Sequence, residues 1–358
     1  MKIGIFDPYL DTLSGGEKYM LSIAMSLSKD NDVRIFWDDE SVKEIVDRAA
    51  ARFGYDLSSI TFVPSLFTNK VSFMMRYEAT REYDLIILLS DGSIPIVGCP
   101  LILHFQSPMN WVKGKNIKNQ LKLTRVKNII VNSQFTKDHI DKTFSKKSIV
   151  LYPPVSIQKK YDPKKKKNRI LNVGRFGINQ AGSSFKKQDI LADTFLKMCD
   201  AGLTDWKLIF VMSMMDKDKE AFEKFKEKYK GYPISFLVNP SNSDLWDEYE
   251  NASIYWHASG FGEDLTKHPD RAEHFGISTV EAMGAGAVPV VVAAGGQKEI
   301  IKDDLNGRLW SSVNELQTQT LALIEDKSYR ERLAEQGVQD AKVFSMERFS
   351  KQINELVV

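Results

Sequence analysis

Short apolar runs of strand length alternate with amphipathic stretches of helical periodicity along most of this chain. The run at 85–89 is apolar throughout, and Met20, Ile23 and Leu27 recur at the spacing of one helix face. A continuously apolar run is typical of a strand that a parallel sheet buries on both faces. The alternation therefore predicts an α/β fold in which parallel strands are linked by helices.

The alternation occurs twice, before and after a polar stretch that follows Pro153-Pro154 and ends in four lysines. Ligands of open parallel sheets bind beyond the carboxyl ends of the strands, so two such sheets place the site in the cleft between them. We expect two Rossmann-like domains facing a central cleft, over 1–157 and 158–344, and a C-terminal helix over 345–358 that packs on the first domain. The predicted strands are 3–6, 33–37, 60–63, 85–89, 101–105, 129–131, 149–151, 169–173, 207–212, 234–238, 254–257 and 288–292.

Positive charge is concentrated in the band 113–167, which holds 16 basic and 3 acidic residues in a chain of net charge +2. Such a band suits nucleic acid, an anionic membrane face or a phosphorylated substrate, and charge alone does not choose among them. Nucleic-acid binding is the weaker alternative, because no repeat of stacking aromatic residues accompanies the lysines.

A membrane-facing surface is another interpretation of the same band. Its lysines lie on or near one amphipathic helix, and the apolar segment Phe73-Met74-Met75 is a candidate for contact with anionic lipid. A solvated charged face explains these lysines equally well. The lysines are Lys113, Lys115, Lys118 and Lys122.

Cysteine content and hydropathy indicate the compartment. Two cysteines, Cys99 and Cys199, are too few for a disulfide framework or a four-thiolate metal site, and they predict a reducing environment. The first apolar segment meets Asp7 too early for a signal peptide. The longest apolar stretch, 288–294, is far shorter than the ~18 residues of a membrane span. We expect a cytoplasmic protein, soluble or peripheral at the inner face of a membrane.

The segment 273–289, EHFGISTVEAMGAGAVP, carries the most specific chemistry in the chain. It predicts a loop, a helix that begins near Ser278 and the entry to a strand. The backbone amides at the start of this helix would point outward at its positive end, which suits a diphosphate. These amides belong to Phe275, Gly276, Ile277, Ser278 and Thr279.

Two glutamates flank that helix start. Glu281, placed in the first turn, can accept hydrogen bonds from a ribose diol, and Glu273 can hold sugar hydroxyls or stabilise charge at a reacting carbon. The pattern Ser278-x-x-Glu281 also fits a capping box, in which both side chains satisfy helix amides and bind no ligand. On spacing alone, the capping box is the commoner outcome.

The whole stretch resembles the signature of the retaining glycosyltransferases of family 4, two-Rossmann (GT-B) enzymes that use a nucleotide-sugar donor, and it is nearest to mannosyltransferase-like members. The hallmark is the pair of glutamates separated by seven residues. Four further matches follow in the family's order, each at a strand-to-helix junction, and the set spans nearly the full chain. They are Ser14-Gly15-Gly16-Glu17, Val173-Gly174-Arg175-Phe176, Phe185-Lys186-Lys187-Gln188-Asp189 and Gly295-Gly296-Gln297-Lys298-Glu299.

The resemblance assigns the diphosphate of the sugar donor to Arg175 and Lys186, with Lys187 as the neighbouring alternative. A guanidinium fork and an ammonium can neutralise a departing diphosphate. Together with a helix end they can do the work of a divalent ion, so the resemblance implies no metal and no other cofactor. A surface salt bridge is the ordinary alternative for Arg175.

Gly15 and Gly16, by the same resemblance, let the first loop approach the diphosphate from the opposite domain. Local structure offers an alternative here as well, because Ser14-x-x-Glu17 fits a capping box at the start of the first helix.

The chain departs from the family after the strand at 101–105. Gln106 stands where many members carry a histidine near the transferred sugar, and an uncharged amide cannot act as an acid or base. His104 shares the face of Gln106 by strand alternation. We expect Gln106 to contact the sugar, whereas His104 is either a second contact or a satisfied core histidine.

The resemblance implies a metal-independent, retaining transfer of a hexose of mannose or glucose type. The sugar donor is a nucleoside diphosphate sugar, a UDP-sugar or, as we favour, GDP-mannose, and the acceptor is a hydroxyl group of a glycan, glycolipid or small molecule. A sugar-nucleotide epimerase and a phosphorylase are alternatives with the same fold. Zinc is disfavoured, because His257, His268 and His274 are irregularly spaced and no cysteine joins them. No nucleic-acid partner is expected.

Overall fold

The computed structural model describes residues 1–38, 41–112, 114–178, 184 and 186–357. Lys113 of the basic band, Phe185 of the third motif and Val358, the end of the predicted C-terminal helix, lie outside these residues. The chain divides into two units, Met1–Pro154 with Phe344–Val358 and Val155–Val343, called here the first and second units.

The described part of the first unit forms a parallel sheet of seven strands flanked by helices. The strands lie side by side in the order β3-β2-β1-β4-β5-β6-β7. They are β1 Lys2–Phe6, β2 Asp32–Phe36, β3 Thr61–Val63, β4 Leu85–Leu89, β5 Leu101–Phe105, β6 Val126–Val131 and β7 Ser148–Val150. The helices are α1 Gly15–Leu27, α2 Val42–Phe53, α3 Phe73–Thr80, α4 Ile117–Leu123, α5 Gln134–Thr143 and, at the end of the chain, α13 Met346–Val357.

The described part of the second unit has the same design with six parallel strands, in the order β10-β9-β8-β11-β12-β13. The strands are β8 Lys167–Arg175, β9 Lys207–Ser213, β10 Ile234–Val238, β11 Ala252–His257, β12 Val288–Val292 and β13 Arg308–Trp310. The helices are α6 Gln188–Asp200, α7 Lys219–Lys228, α8 Asn242–Asn251, α9 Ile277–Gly284, α10 Gln297–Ile300, α11 Val313–Glu325 and α12 Lys327–Ala341.

Burial explains the strand sequences. All five residues of β4, β5 and β12 are buried, as expected for central strands of a sheet covered on both faces. Along β5 the side chains alternate between two cores, with Ile102 on the side of α1 and Leu103 on the opposite side. Two Rossmann-like α/β units with parallel sheets are therefore confirmed.

The C-terminal helix α13 packs on the first unit, as predicted. Phe349 makes an edge contact with Tyr19 of α1 at 5.3 Å between ring centroids, and Ser350 Oγ lies 2.8 Å from Ser26 Oγ. Ser345 caps the helix, since its Oγ accepts a hydrogen bond from the Arg348 amide at 3.3 Å. The last twelve described residues thus complete a core that the first 154 residues begin.

The sequence patterns did not predict strand β13. Arg308–Trp310 has three residues, one of them charged, and so it lacks an apolar run. Its pairing with β12 supplies the strand that local sequence does not indicate.

Among the described residues, no helix is long and apolar enough to cross a membrane.

Candidate functional site

The strand order of the second unit reverses between β8 and β11, because the chain builds outward from β8 through β9 to β10 and then returns to the other side of β8. Open parallel sheets bind their ligands outside the carboxyl ends of the strands at such a reversal. Arg175 ends β8 and His257 ends β11, so topology places both residues at this position.

Glu273 is the centre of a hydrogen-bonded cluster at this edge. Lys186 Nζ donates to Glu273 Oε2 at 2.7 Å, and His257 Nε2 lies 3.0 Å from the same oxygen. The Glu273 side chain is 18% exposed and that of His257 only 3%. The structure therefore brings together two of the predicted residues, Lys186 and Glu273, and adds His257.

The charges of this cluster follow from burial and pairing. Burial opposes ionisation of Glu273, but Lys186 and the hydrogen bond from His257 outweigh it and hold the pKa of Glu273 well below its usual range. Burial lowers the pKa of His257, and the bond to Glu273 opposes this only in part. At neutral pH, Glu273 is thus a carboxylate and His257 an uncharged imidazole.

The helix α9 begins beside this cluster, one residue earlier than predicted. Gly276 is its N-cap with φ +121°, a conformation that favours glycine. The Thr279 amide already has an acceptor within the helix, since it donates to the Gly276 carbonyl at 3.0 Å. The amides of Ile277 and Ser278 lie in the first turn, where a helix provides no acceptor.

The capping box predicted as an alternative for Ser278 and Glu281 does not form. Ser278 Oγ lies 2.8 Å from the hydroxyl of Tyr255, and Glu281 Oε2 accepts a hydrogen bond from Tyr249 at 2.9 Å. Both tyrosines are fully buried, so the hydrogen bonds that fix the side chains of Ser278 and Glu281 come from the core of the second unit. Because α9 starts at Ile277, Glu281 lies in its second turn and not in the first.

Gly295 and Gly296 support the loop that carries Glu273. The Gly296 amide donates to the Glu273 carbonyl at 2.8 Å. A Cβ atom at Gly295 would collide with that carbonyl, and one at Gly296 would collide with the backbone of His274 and Phe275. Only glycine permits this approach of two backbones, which gives the motif at 295–296 a structural reason.

Lys187 has a different environment from Lys186. It adopts φ +55° at the N-cap of α6, and its Nζ donates to Glu263 Oε1 at 2.6 Å. Arg271 donates to the other oxygen of Glu263 at 2.7 Å. The Glu263 bridge, defined as Lys187, Glu263 and Arg271, thus closes the long loop between β11 and Glu273.

Arg175 is exposed at the end of β8, and no other described residue forms a hydrogen bond or ion pair with its guanidinium. Its carbonyl accepts a hydrogen bond from the fully buried Gln188 at 3.2 Å, which fixes the backbone at this point. Roles of Arg175 and the two lysines toward a ligand stay predictions.

In the first unit, Gly16 and Gln106 are in contact. Gln106 Nε2 donates to the Gly16 carbonyl at 3.0 Å, and a Cβ at Gly16 would overlap the Gln106 amide. Gly15 is the first residue of α1, and Ser14 with Glu17 forms the capping box that was the alternative here, with the Ser14 amide donating to Glu17 at 2.6 Å.

His104 lies in the core of the first unit. It is fully buried and stacks on Tyr19 at 4.1 Å between ring centroids, and Nδ1 lies 3.2 Å from the Ile130 carbonyl. Burial lowers the pKa of His104 to about 3. This placement favours the core-histidine alternative, although Nε2 is buried with no hydrogen-bond partner among the described residues. The expected sugar contact by Gln106 stays a prediction.

Sequence reasoning missed the partners of the predicted residues. Nothing in the local sequence pointed to Tyr249, Tyr255, Glu263 or Arg271. His257 could have been found, because it lies at the end of a strand beside the reversal of the sheet order. Within the part of the chain that the structure describes, no group of three His, Cys, Asp or Glu side chains is arranged to hold a metal ion.

Comparison with known sequences identifies related proteins. Residues 156–340 match the family "Glycosyl transferases group 1". A GDP-Man:Man(3)GlcNAc(2)-PP-Dol alpha-1,2-mannosyltransferase of Kluyveromyces lactis is 20% identical over 82% of this chain, which spans 62% of that relative's length. An uncharacterized glycosyltransferase of Methanocaldococcus jannaschii is 28% identical over 73% of this chain and 68% of its own.

Comparison with solved structures shows the same architecture over the whole chain. The crystal structure of Anabaena HepE in complex with UDP superposes with a TM-score of 0.75 at 18% sequence identity, covering 99% of both chains. Sucrose-phosphate synthase from Thermosynechococcus elongatus gives a TM-score of 0.72 at 15% identity, with 99% of this chain and 98% of that chain covered.

Proposed function

The chain belongs to the group 1 glycosyl transferases, and from this premise we propose that it transfers a hexose from a nucleoside diphosphate sugar to a hydroxyl group, with retention at the anomeric carbon. The observation that carries the proposal is the ion pair of Lys186 with Glu273 beside the first turn of α9. It combines a cation for a leaving diphosphate with a carboxylate for a sugar that becomes cationic. The second unit holds the sugar donor in this proposal, and the first unit holds the acceptor.

Departure of the diphosphate is the step that needs positive charge. As the glycosidic bond breaks, negative charge grows on the phosphate oxygens, and preorganised donors stabilise it most effectively. The guanidinium of Arg175, the ammonium of Lys186 and the amides at Ile277 and Ser278 supply those donors. The proposed reaction uses these groups in place of a metal ion.

Glu273 acts on the sugar. Its carboxylate is ionised at neutral pH, so it stabilises positive charge at the anomeric carbon and accepts hydrogen bonds from sugar hydroxyls. Glu281, held by Tyr249, accepts bonds from the ribose.

GDP-mannose is the sugar donor that we propose. The Kluyveromyces relative is named for GDP-mannose and a lipid-linked oligosaccharide, whereas the HepE structure contains UDP. A thermal-shift screen of UDP-, GDP-, ADP- and dTDP-sugars tests the choice directly. Stabilisation by GDP-mannose above the others supports it, and stabilisation only by a UDP-sugar would replace it.

Variants of three residues test the site. We expect Glu281→Ala and Arg175→Ala to weaken binding of the sugar donor about tenfold or more by calorimetry, because each removes a charged hydrogen-bond partner. Glu273→Ala should retain binding and lose at least about 100-fold in turnover. Glu220→Ala, on the exposed surface of α7, is the matched control.

Two results would contradict the proposal. One is unchanged donor affinity and turnover in all three variants with intact folding. The other is a different product, since an epimerase converts the sugar nucleotide without an acceptor and a phosphorylase consumes inorganic phosphate.

An anionic membrane surface is the proposed location of a lipid-linked acceptor. Apolar side chains of α3 and α4 are exposed, among them Phe73 at 58%, Met74 at 66%, Ile117 at 82% and Leu121 at 69%. Both helices are tied to one loop, because Arg76 donates to the Ile96 carbonyl and Lys122 to that of Ile94. Exposed apolar side chains can insert into the membrane interface, and the neighbouring Lys115 and Lys118 attract anionic headgroups, so this surface suits binding to anionic lipid.

Vesicle sedimentation tests this surface. Binding to vesicles containing anionic lipid should fall strongly in the double variant Ile117→Ser, Leu121→Ser, and Leu321→Ser of the second unit should leave it unchanged. Binding that does not depend on anionic lipid would remove the membrane from the proposal.

A further inference from the structure

His257 is the last residue of β11, and its side chain contacts Glu273. The residue is 2% exposed, and its Nε2 lies 3.0 Å from Glu273 Oε2. Its other ring nitrogen, Nδ1, is buried and has no hydrogen-bond partner among the described residues. Glu273 lies 16 residues away in sequence, so the contact is made by the fold and not by local geometry.

These contacts select one form of the imidazole. Burial lowers the pKa of His257, so the ring is uncharged near neutral pH and carries a single N–H. On Nε2 that proton makes a hydrogen bond to a carboxylate, whereas on Nδ1 it would leave the Nε2 lone pair facing a negative charge. The Nε2–H tautomer is therefore strongly favoured.

The same carboxylate oxygen receives both donors. Lys186 Nζ, at 2.7 Å, and His257 Nε2 converge on Glu273 Oε2. No described residue donates to the other oxygen, Oε1. Two donors on one oxygen restrict rotation of the carboxylate and leave Oε1 for a ligand.

The chemistry of the second donor matters as much as its position. Lys186 already supplies a positive charge to the carboxylate. A second cation would weaken the charge that Glu273 presents to a cationic sugar, whereas an uncharged imidazole orients the carboxylate and leaves its charge in place.

We infer that His257 is a positioning residue for Glu273: as an uncharged Nε2–H donor it holds the carboxylate so that Oε1 faces the reacting sugar. The inference rests on the proposed function, because it concerns the same carboxylate. His257 itself touches neither the sugar nor the diphosphate in this arrangement.

Two substitutions and a control test the role. We expect His257→Leu to lower kcat about 10- to 100-fold, which is the range for losing a hydrogen bond to a charged group. The KM for the nucleotide sugar should stay within about threefold of the wild-type value. His257→Gln restores a neutral N–H donor and should recover most of that kcat. His268→Leu, an exposed histidine on the same loop, should match wild type.

A readout that needs no catalysis accompanies these rates. The imidazole nitrogens of His257, assigned by their loss in His257→Gln, should show the Nε2–H tautomer in long-range ¹H–¹⁵N spectra at neutral pH. The Nδ1–H tautomer would overturn the inference. So would a leucine variant with wild-type kcat, or a folded glutamine variant no faster than the leucine variant.

Failure of the proposed function gives a different pattern. A wild-type protein that shows the Nε2–H tautomer and transfers no sugar from any tested donor would overturn the proposed reaction, while the hydrogen bond to Glu273 would stand. Equal losses of melting temperature in both His257 variants, with kcat per folded molecule unchanged, would reduce His257 to a packing residue and overturn the inference alone.

Discussion

Asp7, which follows β1, shows how burial of one residue makes stability depend on pH. It is 1% exposed, Oδ1 accepts a hydrogen bond from the Tyr9 amide, and Oδ2 has no partner among the described residues. Burial raises the pKa of Asp7 to about 7. The unfolded chain releases this proton near pH 4, so the folded state loses stability as pH rises from about 4 to about 7. We predict that Asp7→Asn gains roughly 4 kcal/mol over wild type at pH 8 and little at pH 4, measured by denaturant unfolding. The exposed Asp30→Asn should show no such trend, and a gain independent of pH would contradict the explanation.

The long loop between β11 and Glu273 is an element held by charge, and the Glu263 bridge is its anchor. Lys187 and Glu263 are each 13% exposed, so their ion pair is shielded from water more than the other pairs of this loop. Pairing with Lys187 and Arg271 lowers the pKa of Glu263, which therefore stays ionised at neutral pH. We predict that Glu263→Gln speeds amide exchange over 258–272 by about tenfold or more, because it weakens two hydrogen bonds between charged groups. Strands β11 and β12 should keep their protection. Asp264→Asn is the matched control, because it removes an exposed ion pair with Lys267 and keeps an oxygen acceptor for the amides of Thr266 and Lys267. Equal exchange in both variants would show that the bridge does not hold the loop.

At the scale of the whole molecule, the two units have separate hydrophobic cores, and the first needs both ends of the chain. Ile353 of α13 is fully buried in the core that contains Tyr19 and Leu27 of α1. We predict that Ile353→Ala destabilises the first unit by about 2–5 kcal/mol, the cost of a cavity in a packed core. Hydrogen exchange should then rise in α1 and β1 and stay unchanged in the core strands β8 and β12 of the second unit. The exposed Lys351→Ala is the control. A uniform rise in both units would show that they unfold together.

Much of the fold was legible in the sequence, because buried parallel strands need continuous apolar residues. The runs at 85–89, 101–105, 234–238 and 288–292 match observed strands residue for residue. The strand β13 could not be predicted from the sequence, since its three residues owe their conformation to pairing with β12. Family membership was also legible, from motifs in a fixed order, whereas the roles of Arg175, Lys186 and Glu281 toward a ligand are still to be measured.

Two copies of one short pattern separate what the sequence determined from what the tertiary structure decided. Ser14-x-x-Glu17 and Ser278-x-x-Glu281 have the same spacing, and local propensity predicts a capping box for both. The first forms one, because Ser14 is the N-cap of α1 and its amide reaches Glu17. At the second, the N-cap of α9 is Gly276 and not Ser278, and the buried hydroxyls of Tyr255 and Tyr249 bond to the two side chains instead. The sequence determined the apolar runs and helical periodicities from which most strands and helices could be predicted. Packing of distant elements decided which polar groups met, because Tyr249 of α8 and Tyr255 of β11 contact α9 only once the second unit is folded.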